Sequence, residues 1–142
     1  MSQWTHILGI IRFDSMAANV WPEPPQKTKV LKDEVKFIHN LFQKGDTVSG
    51  SERPIEIQTI LTNRGPTVVI TGDLRDFGKK DLPKIVNWAN AIIKVINKEK
   101  KKYPTLLRDA FINCNVEPNE SFVIVLNDAG VFEIKNLREE SV

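Results

Sequence analysis

Apolar residues fall on both sides of the first regular stretch of the chain. In WTHILGIIRF, residues 4–13, Leu8 and Ile10 lie on one side of an extended strand, and Ile7, Ile11 and Phe13 lie on the other. A strand that is apolar on both sides is typical of the interior of a sheet rather than its edge. The sequence therefore predicts an interior strand here.

Apolar residues with the spacing of a helix follow a proline-rich segment. Residues 15–26 include three prolines, Pro22, Pro24 and Pro25, and because proline fixes φ and lacks an N–H we expect an extended loop. In KTKVLKDEVKFIHNLFQKG the apolar residues then recur at steps of three and four, with Lys and Glu opposite them. This pattern predicts an amphipathic helix. Gly45 stands where a C-terminal cap is expected.

Apolar and polar residues alternate in PIEIQTILT, residues 54–62. Ile55, Ile57 and Leu61 alternate there with Glu56 and Gln58, as in a strand with one face in water. The turn residues NRGP follow, and TVVITG is a shorter and more apolar strand. The two strands are expected to pair as a hairpin.

The second helix has the broadest apolar stripe of the chain. Asp81 is a suitable N-cap, and Pro83 falls in the first turn, where its missing N–H costs little. Tyr103 and Pro104 are expected to close the helix. The stripe residues are Leu82, Ile85, Val86, Ala89, Ile92, Ile93 and Ile96.

Two further segments complete the chain. Residues 108–116 predict a strand with Ala110, Ile112, Cys114 and Val116 on one face. The segment SFVIVLNDAGVFEIKNL predicts a hairpin that turns at residues 127–130.

The order of the predicted elements indicates the fold. Strand, helix, strand, strand, helix and strand is the split β-α-β arrangement of ferredoxin-like folds (βαββαβ), here with an added C-terminal β-hairpin. That arrangement places the first and third strands at the centre of the sheet, and these are the two segments with apolar residues on both faces. We therefore expect residues 1–142 to form a single α+β domain of ferredoxin-like type.

Composition narrows the class of partner. The 142 residues include 20 Lys and Arg against 18 Asp and Glu, and 41% are hydrophobic. The dense basic block, Lys98 and residues 100–102, lies at the predicted end of the second helix, where cations complement the helix dipole. A nucleic-acid-binding domain usually has a clustered basic face, so nucleic acid is not the expected partner.

Cysteine content and hydropathy indicate the compartment. Cys114 is the one cysteine of the chain, which excludes an internal disulfide and a Cys-rich metal site. The first residues lack the features of a signal peptide. The longest apolar run, FVIVL, is far too short to span a membrane. We expect a soluble intracellular protein.

The polar cluster in TGDLRDFGKK is the main candidate site. Asp73 and Asp76 could hold a divalent cation, and Arg75 could bind a phosphate or a carboxylate. The alternative is that Gly72 and Asp73 end the strand and that the cluster only turns the chain. A third acidic ligand for Mg²⁺ is not identifiable nearby, so no metal or cofactor is expected. A binding surface that includes Lys79 is the hypothesis carried forward.

Two more residues are candidates for binding. Arg53 belongs to GDTVSGSERP, which resembles a phosphate-binding loop only superficially, because it leads from a helix into a strand and offers no helix N-terminus. Trp21, in the proline-rich loop, is an aromatic anchor candidate together with Trp4 and nearby Arg12. Core packing is the alternative for both tryptophans.

The sequence gives little support for catalysis by a histidine or by the cysteine. His6 and His39 lack the His-x-Thr/Ser pairs of a two-histidine phosphoesterase, and each is expected to be structural or exposed. Cys114 is expected to face the core as a small apolar residue.

Three segments resemble a known group of proteins. SQWTHILGIIRFDS, GSERPIEI and VVITGDLRDF are similar to segments of small, uncharacterised bacteriophage proteins, which share a Ser-Gln-Trp-Thr-His strand, a Gly-Ser-Glu loop and a Gly-Asp-Leu-Arg-Asp turn. Arg53 stands where that loop tends to have Gly. The resemblance implies a phage origin, and it transfers no catalytic residue.

Three functional hypotheses follow. The leading one is a non-enzymatic phage-type protein that binds a host protein or a host-defence component in the host cytoplasm. The second is a virion or assembly component that self-associates into a homo-oligomer through edge strands or the terminal hairpin. The third is a nucleotide-binding protein or an enzyme that uses Asp73, Arg75, Asp76 and Lys79.

Overall fold

A computed structural model describes residues 3–16, 24–43 and 48–136, with residues 24–28 described by their backbone alone. Two helices and six strands follow one another in these residues, and a short 3-10 turn, Lys79–Asp81, precedes the second helix. The α+β class predicted from the sequence is confirmed. The elements are β1 (Trp4–Ser15), α1 (Pro24–Gln43), β2 (Glu56–Thr62), β3 (Gly65–Arg75), α2 (Leu82–Lys98), β4 (Thr105–Val116), β5 (Glu120–Leu126) and β6 (Phe132–Asn136).

The strands of the described chain form one antiparallel sheet in the order β2-β3-β1-β4-β5-β6. The first strand is paired along both sides, since Gly9 lies opposite Ile70 of β3 and opposite Ile112 of β4. The interior position predicted for β1 is therefore confirmed. The predicted β2-β3 hairpin and the terminal β5-β6 hairpin are confirmed as well.

Both helices contribute to one hydrophobic core on a single face of the sheet. The ring of Phe13 in β1 lies edge-to-face with that of Phe42 in α1, at 6.3 Å between centroids. Phe42 makes the same kind of contact with Trp88 of α2, at 5.4 Å. Such aromatic pairs add to the free energy gained by burying the rings. Trp88 thus belongs to the buried stripe of α2, although the stripe predicted from the sequence omitted it.

The second face of the sheet, here called the open face, is not covered by these helices. Along β1, Ile7, Ile11 and Phe13 are buried against the helices, whereas Leu8 is 62% exposed and Ile10 is 44% exposed. Apolar residues on the second side of β1 are therefore in contact with solvent, although the strand itself is interior to the sheet. The alternation predicts the strand correctly, but it does not show whether a second layer covers the other side.

Helix α1 begins earlier than predicted. Its first residue is Pro24, inside the segment expected to be an extended loop. Proline is accepted in the first turn of a helix, because the N–H that it lacks would have no partner within the helix there. Pro22 and the predicted cap Gly45 lie outside the described residues.

One residue of α1 contradicts the predicted separation of apolar and charged faces. Leu31 and Ile38 are buried as expected, but Glu34, between them on the same stripe, is fully buried too. The buried hydroxyls of Ser15 and Thr105 interact with its carboxyl, although neither carboxyl oxygen has a hydrogen bond of ordinary geometry. Burial raises the pKa of Glu34, and the two hydroxyls offset part of that rise.

Asp81 stands at the predicted N-cap position of α2, but its side chain stabilises the preceding turn instead. Its Oδ2 accepts a hydrogen bond from the backbone N–H of Gly78 at 2.9 Å, and its Oδ1 lies 3.1 Å from Nζ of Lys84. At the other end of α2, Lys98 and residues 100–102 are all exposed, as predicted.

Candidate functional site

Three segments that are distant in sequence meet at one end of the sheet. The pairing of β1 with β3 places Trp4 opposite Arg75 and His6 opposite Asp73. The loop 48–55 joins them there, because the N–H of Ser51 donates a hydrogen bond to the carbonyl of Arg75 at 2.9 Å. These are the same three segments on which the resemblance to phage proteins rests.

The Gly-Asp-Leu-Arg-Asp segment is mainly strand rather than turn. The suggestion that Gly72 and Asp73 end the strand is wrong, because β3 continues to Arg75. The chain turns at Asp76, whose φ is 57°. In β3, Asp73 and Arg75 are exposed, while Leu74 between them is buried in the core. The strand therefore presents both charged side chains on the open face.

Gly50 allows the loop to lie directly on the end of β3. A Cβ atom at this position would come within 2.7 Å of both the backbone nitrogen and the carbonyl oxygen of Arg75. Only glycine accommodates so close a backbone approach. Gly50 also donates its N–H to the carbonyl of Arg53 at 2.9 Å, which closes the loop on itself.

His6 is held by two carboxylates. Its Nδ1 lies 2.6 Å from Oδ1 of Asp73, and its Nε2 lies 2.5 Å from Oε2 of Glu117. The hydrogen bond to Asp73, followed by that to Glu117, raises the pKa of His6 above its ordinary value of 6.5, although partial burial opposes the rise. His6 thus links β1 to β3 and to the turn after β4.

Arg75 makes an ion pair with the loop. Its Nη1 lies 2.5 Å from Oε1 of Glu52, and both side chains remain about half exposed. An exposed pair of this kind contributes about 0–1 kcal/mol to stability. It orients the guanidinium more than it stabilises the fold.

The loop and the strand ends enclose a groove of about 380 Å³. Trp4 contributes apolar surface to it, and Arg53 and three carboxylate side chains contribute charge. A concave site that combines an aromatic ring with a few polar groups is typical of a binding site. The lining residues are Trp4, Glu52, Arg53, Pro54, Glu56, Thr71, Gly72 and Asp73.

The groove and its border carry more negative than positive charge. The carboxylates are those of Glu52, Glu56, Asp73 and Glu117, and the cations are the guanidinium groups of Arg53 and Arg75, joined by the His6 ring when it is protonated. The chain as a whole has a formal net charge of +2. This end of the sheet is therefore locally acidic on a slightly basic protein.

The structure brings together some of the predicted site residues and separates others. Asp73 and Arg53 line the groove, and Arg75 borders it through Glu52. Asp76 lies in the adjoining turn and is exposed. Lys79 does not line the groove; its Nζ lies 5.6 Å from the ring centroid of Phe122. Trp21 lies outside the described residues.

Sequence reasoning missed three residues at this end of the sheet: His6, Glu52 and Glu117. His6 was examined only for local motifs, whereas its partners are 67 and 111 positions away. The available signal was the predicted adjacency of the first and third strands, but the register that pairs His6 with Asp73 could not be read from it. Arg12, considered as part of a partner surface with Trp4, is instead paired with Asp109.

The remaining candidate residues have structural environments. His39 Nδ1 lies 2.9 Å from the hydroxyl of Thr59, which links α1 to β2. Cys114 is buried in the core, as predicted, and burial raises the pKa of its thiol to about 12. Within residues 3–16, 24–43 and 48–136, no group of three or more His, Cys, Asp or Glu side chains is arranged to hold a metal ion.

In the part of the chain that the structure describes, neither helix is long and apolar enough to cross a membrane.

Comparisons with protein-family models, with curated proteins and with solved structures find no match to this chain. The resemblance to phage proteins therefore stays a prediction.

Proposed function

We propose that this chain is a non-enzymatic, phage-type binding protein that acts on a host protein or a host-defence component in the host cytoplasm. One observation supports the proposal above the others: the loop 48–55, the start of β1 and the end of β3 together form a groove lined by Trp4 and by charged side chains. The groove is supported by the rigid centre of the sheet, because β1 and β3 are each paired on both sides.

The charge of the groove indicates the kind of partner. Glu52, Glu56 and Asp73 line it with a single guanidinium, that of Arg53. A lysine or arginine side chain of a partner would meet carboxylates there, and the Trp4 ring would offer a cation–π contact. We propose that the groove accepts a basic side chain from a host protein.

The state of the titratable groups favours binding over proton transfer. Both ring nitrogens of His6 are hydrogen-bonded to carboxylates, which favours the protonated form and leaves no lone pair to accept a proton. A general base needs a free lone pair within reach of its substrate. The Cys114 thiol, with a pKa of about 12 and a buried position, is not a nucleophile at neutral pH.

We also propose that β1 to β4 and the two helices form a ferredoxin-like split β-α-β unit, which the β5-β6 hairpin extends. The order β2-β3-β1-β4 supports this proposal, because it puts β3 and β1 side by side at the centre of that unit. The antiparallel pairing of β3 with β1 and of β1 with β4 supports it too.

Affinity capture followed by a binding isotherm tests the proposed function. The tagged chain is used to capture proteins from a bacterial lysate at several salt concentrations, and each captured protein is then purified and titrated. Glu56→Lys reverses a charge of the groove wall, so we expect at least a tenfold loss of affinity, about 1.4 kcal/mol. Affinity should also fall as salt rises, since exposed charges are screened.

The matched control is Glu99→Lys, which makes the same change of net charge at an exposed position after α2. It should leave the affinity unchanged. Equal losses for the two variants would show that only net charge matters. Failure to capture any partner at all salt concentrations would contradict the proposed function.

A further inference from the structure

A second cavity, of about 570 Å³, lies at the end of the sheet opposite to the groove. Strand β5 pairs with β4 only from Phe111 onward, so the first half of β4 borders this cavity instead of a neighbouring strand. The end of α2 and the turn between β5 and β6 form its other walls. We call it the β4 cavity. Its volume is within the range of small-molecule binding sites.

Most of the wall of the β4 cavity is apolar. Ile93 is buried, whereas Leu106 is 43% exposed, so the apolar wall extends from the core to the surface. A cavity of this composition accepts an apolar group and orients it through a few polar side chains. The apolar wall residues are Ile93, Leu106, Leu107, Ala110, Val125 and Leu126.

The guanidinium of Arg108, which also lines the cavity, has hydrogen-bond donors without acceptors. The side chain is only 27% exposed, and its Nε–H is buried with no hydrogen-bond partner among the described residues. Its ion pair with Asp14 is long, at 3.6 Å from Nη1 to Oδ1, which exceeds the length of a hydrogen bond. A buried donor that is left unsatisfied is costly, and such groups usually bind water or an ion.

The carboxylates nearest in the sheet to Arg108 are already held by other arginines. Asp109 accepts two hydrogen bonds from Arg12, at 2.6 and 2.5 Å. Oδ2 of Asp14 accepts one from Arg64 at 3.0 Å, and its Oδ1 keeps only the long contact with Arg108. Three guanidinium groups therefore share two carboxylates, which leaves one positive charge in excess.

The charges at the rim of the β4 cavity cancel. Lys100 and Asp128 both line it, and both are exposed. The two remaining polar side chains, those of Asn97 and Asn127, are neutral. The positive charge of Arg108 therefore has no complete counter-charge within the cavity, and a ligand with one negative charge would balance it.

We propose that the β4 cavity binds a small organic monoanion, namely a carboxylate attached to an apolar group. The carboxylate would accept two parallel hydrogen bonds from Arg108, the geometry for which a guanidinium is best suited. The apolar group would pack against wall residues such as Ile93 and Val125. A phosphate monoester carries up to two negative charges at neutral pH and would exceed the single positive charge available. This site shares no residue with the groove and does not depend on the proposed function.

Calorimetric titration of the purified chain with octanoate tests this inference, and amide NMR spectra locate the site. We expect saturable binding, with the largest shifts at Ala110 and Gly130. Acetate has the carboxylate without the apolar chain, and octanol has the chain without the charge. Each should bind at least about tenfold more weakly than octanoate, and so should inorganic phosphate.

Arg108→Gln removes the guanidinium and should weaken octanoate binding at least about tenfold. Arg108→Lys keeps the charge without the paired donors, so it should bind octanoate with intermediate affinity. The matched control is Arg53→Gln, the same substitution in the groove, which should leave octanoate affinity unchanged. Circular dichroism melting checks that each variant is folded.

A second pair of variants tests the site without altering Arg108. Leu106→Asp places a carboxylate in the wall and should abolish octanoate binding by repulsion. Leu61→Asp makes the same change on β2, outside the cavity, and should leave binding intact; both positions are exposed, at 43% and 40%. Absence of saturable octanoate binding, or affinity that neither Arg108→Gln nor Leu106→Asp lowers, would overturn the inference. Tighter binding of phosphate than of octanoate would overturn the proposed ligand class.

Discussion

Nδ1 of His6 lies 2.6 Å from Oδ1 of Asp73, directly across the pairing of β1 with β3. The hydrogen bonds to Asp73 and then to Glu117 raise the pKa of His6 above 6.5. Because the folded-state pKa is the higher one, the contact stabilises the fold fully below pH 6.5, and the stabilisation is lost as the pH rises through the folded-state pKa. The ring is 43% exposed, so the contribution is small, about 0–1 kcal/mol.

We expect an NMR titration to give a His6 pKa above 6.5, and Asp73→Asn to lower it. Asp76→Asn, a change of the same kind in the exposed neighbouring turn, should have much less effect. The difference in melting temperature between the unmodified chain and Asp73→Asn should narrow as the pH rises through the His6 pKa. Equal effects of the two substitutions would mean that the hydrogen bond to Asp73 does not control the titration.

Glu34→Gln should stabilise the fold at neutral pH. Burial raises the pKa of Glu34, so its neutral form is favoured in the folded state. The contribution of the protonated Glu34 carboxyl to the free energy of unfolding is complete below its ordinary pKa of 4.5. It is lost as the pH rises through the folded-state pKa. Urea unfolding at pH 4 and pH 8 should show that the advantage of Glu34→Gln grows with pH. Glu99→Gln, an exposed change, should show no such trend.

Arg75→Ala separates a contact surface from simple chain geometry. Because the Arg75–Glu52 pair is exposed, the loss of unfolding free energy should be at most about 1 kcal/mol. Arg75 holds the Glu52 carboxylate in the wall of the groove, so its loss should weaken binding to an identified partner by roughly 2 kcal/mol or more, as expected when an interface arginine is removed. The measurements are a melting curve and a binding isotherm on the same sample. Unchanged binding would contradict the contact hypothesis.

The matched control for Arg75→Ala is Arg64→Ala. Arg64 makes a comparable ion pair with Asp14, at 3.0 Å, near the opposite end of β3. Arg64→Ala should lower the free energy of unfolding by the same small amount as Arg75→Ala and leave binding unchanged.

Ile92→Asp should prevent folding. Ile92 belongs to the buried stripe of α2, and an unpaired carboxylate in an apolar site costs several kcal/mol. Ala91→Asp, at the adjacent exposed position of the same helix, should still fold, since it introduces the same residue without burying it. Circular dichroism and cooperative melting distinguish the two. A cooperatively melting Ile92→Asp variant would show that the stripe is wrongly assigned.

Replacing Lys98 and the lysines at 100–102 with glutamine should cost little stability and no function. All four are exposed at the end of α2 or just after it, where their charge complements the helix dipole. Thermal melting and a filter-binding assay with DNA over a range of salt check this. Salt-dependent DNA binding that vanished in the variant would show instead that the block is a nucleic-acid surface.

The strands and helices could be predicted because their signals are local. The alternation in β1 and the three- and four-residue spacing of α2 depend only on neighbouring residues. Coverage by a second layer is not local, and so the exposure of Leu8 and Ile10 could not be read from the same pattern. Glu34 shows a related limit: its spacing from Leu31 and Ile38 put it on the buried stripe, but its charge suggested water.

The candidate site was predicted only in part, because some of its residues have a local signal in the sequence and others do not. Asp73, Arg75 and Arg53 stood out as polar residues near strand ends. The contacts that orient them come from Glu52, His6 and Glu117, and these depend on strand order and register. A one-residue change in register would put His6 on the other face, so its partners follow from the assembled sheet alone.

The pairing of β1 with β4 has a consequence for the order in which the protein is made. Thr5 lies opposite Val116, so β1 gains its second neighbour only after β4, which comes later in the chain, has been synthesised. Until then one long side of β1 has unpaired backbone groups, which other chains can bind. Because such distant pairing is slow to form, the finished sheet depends on a strand whose second side stays unpaired until β4 has been made.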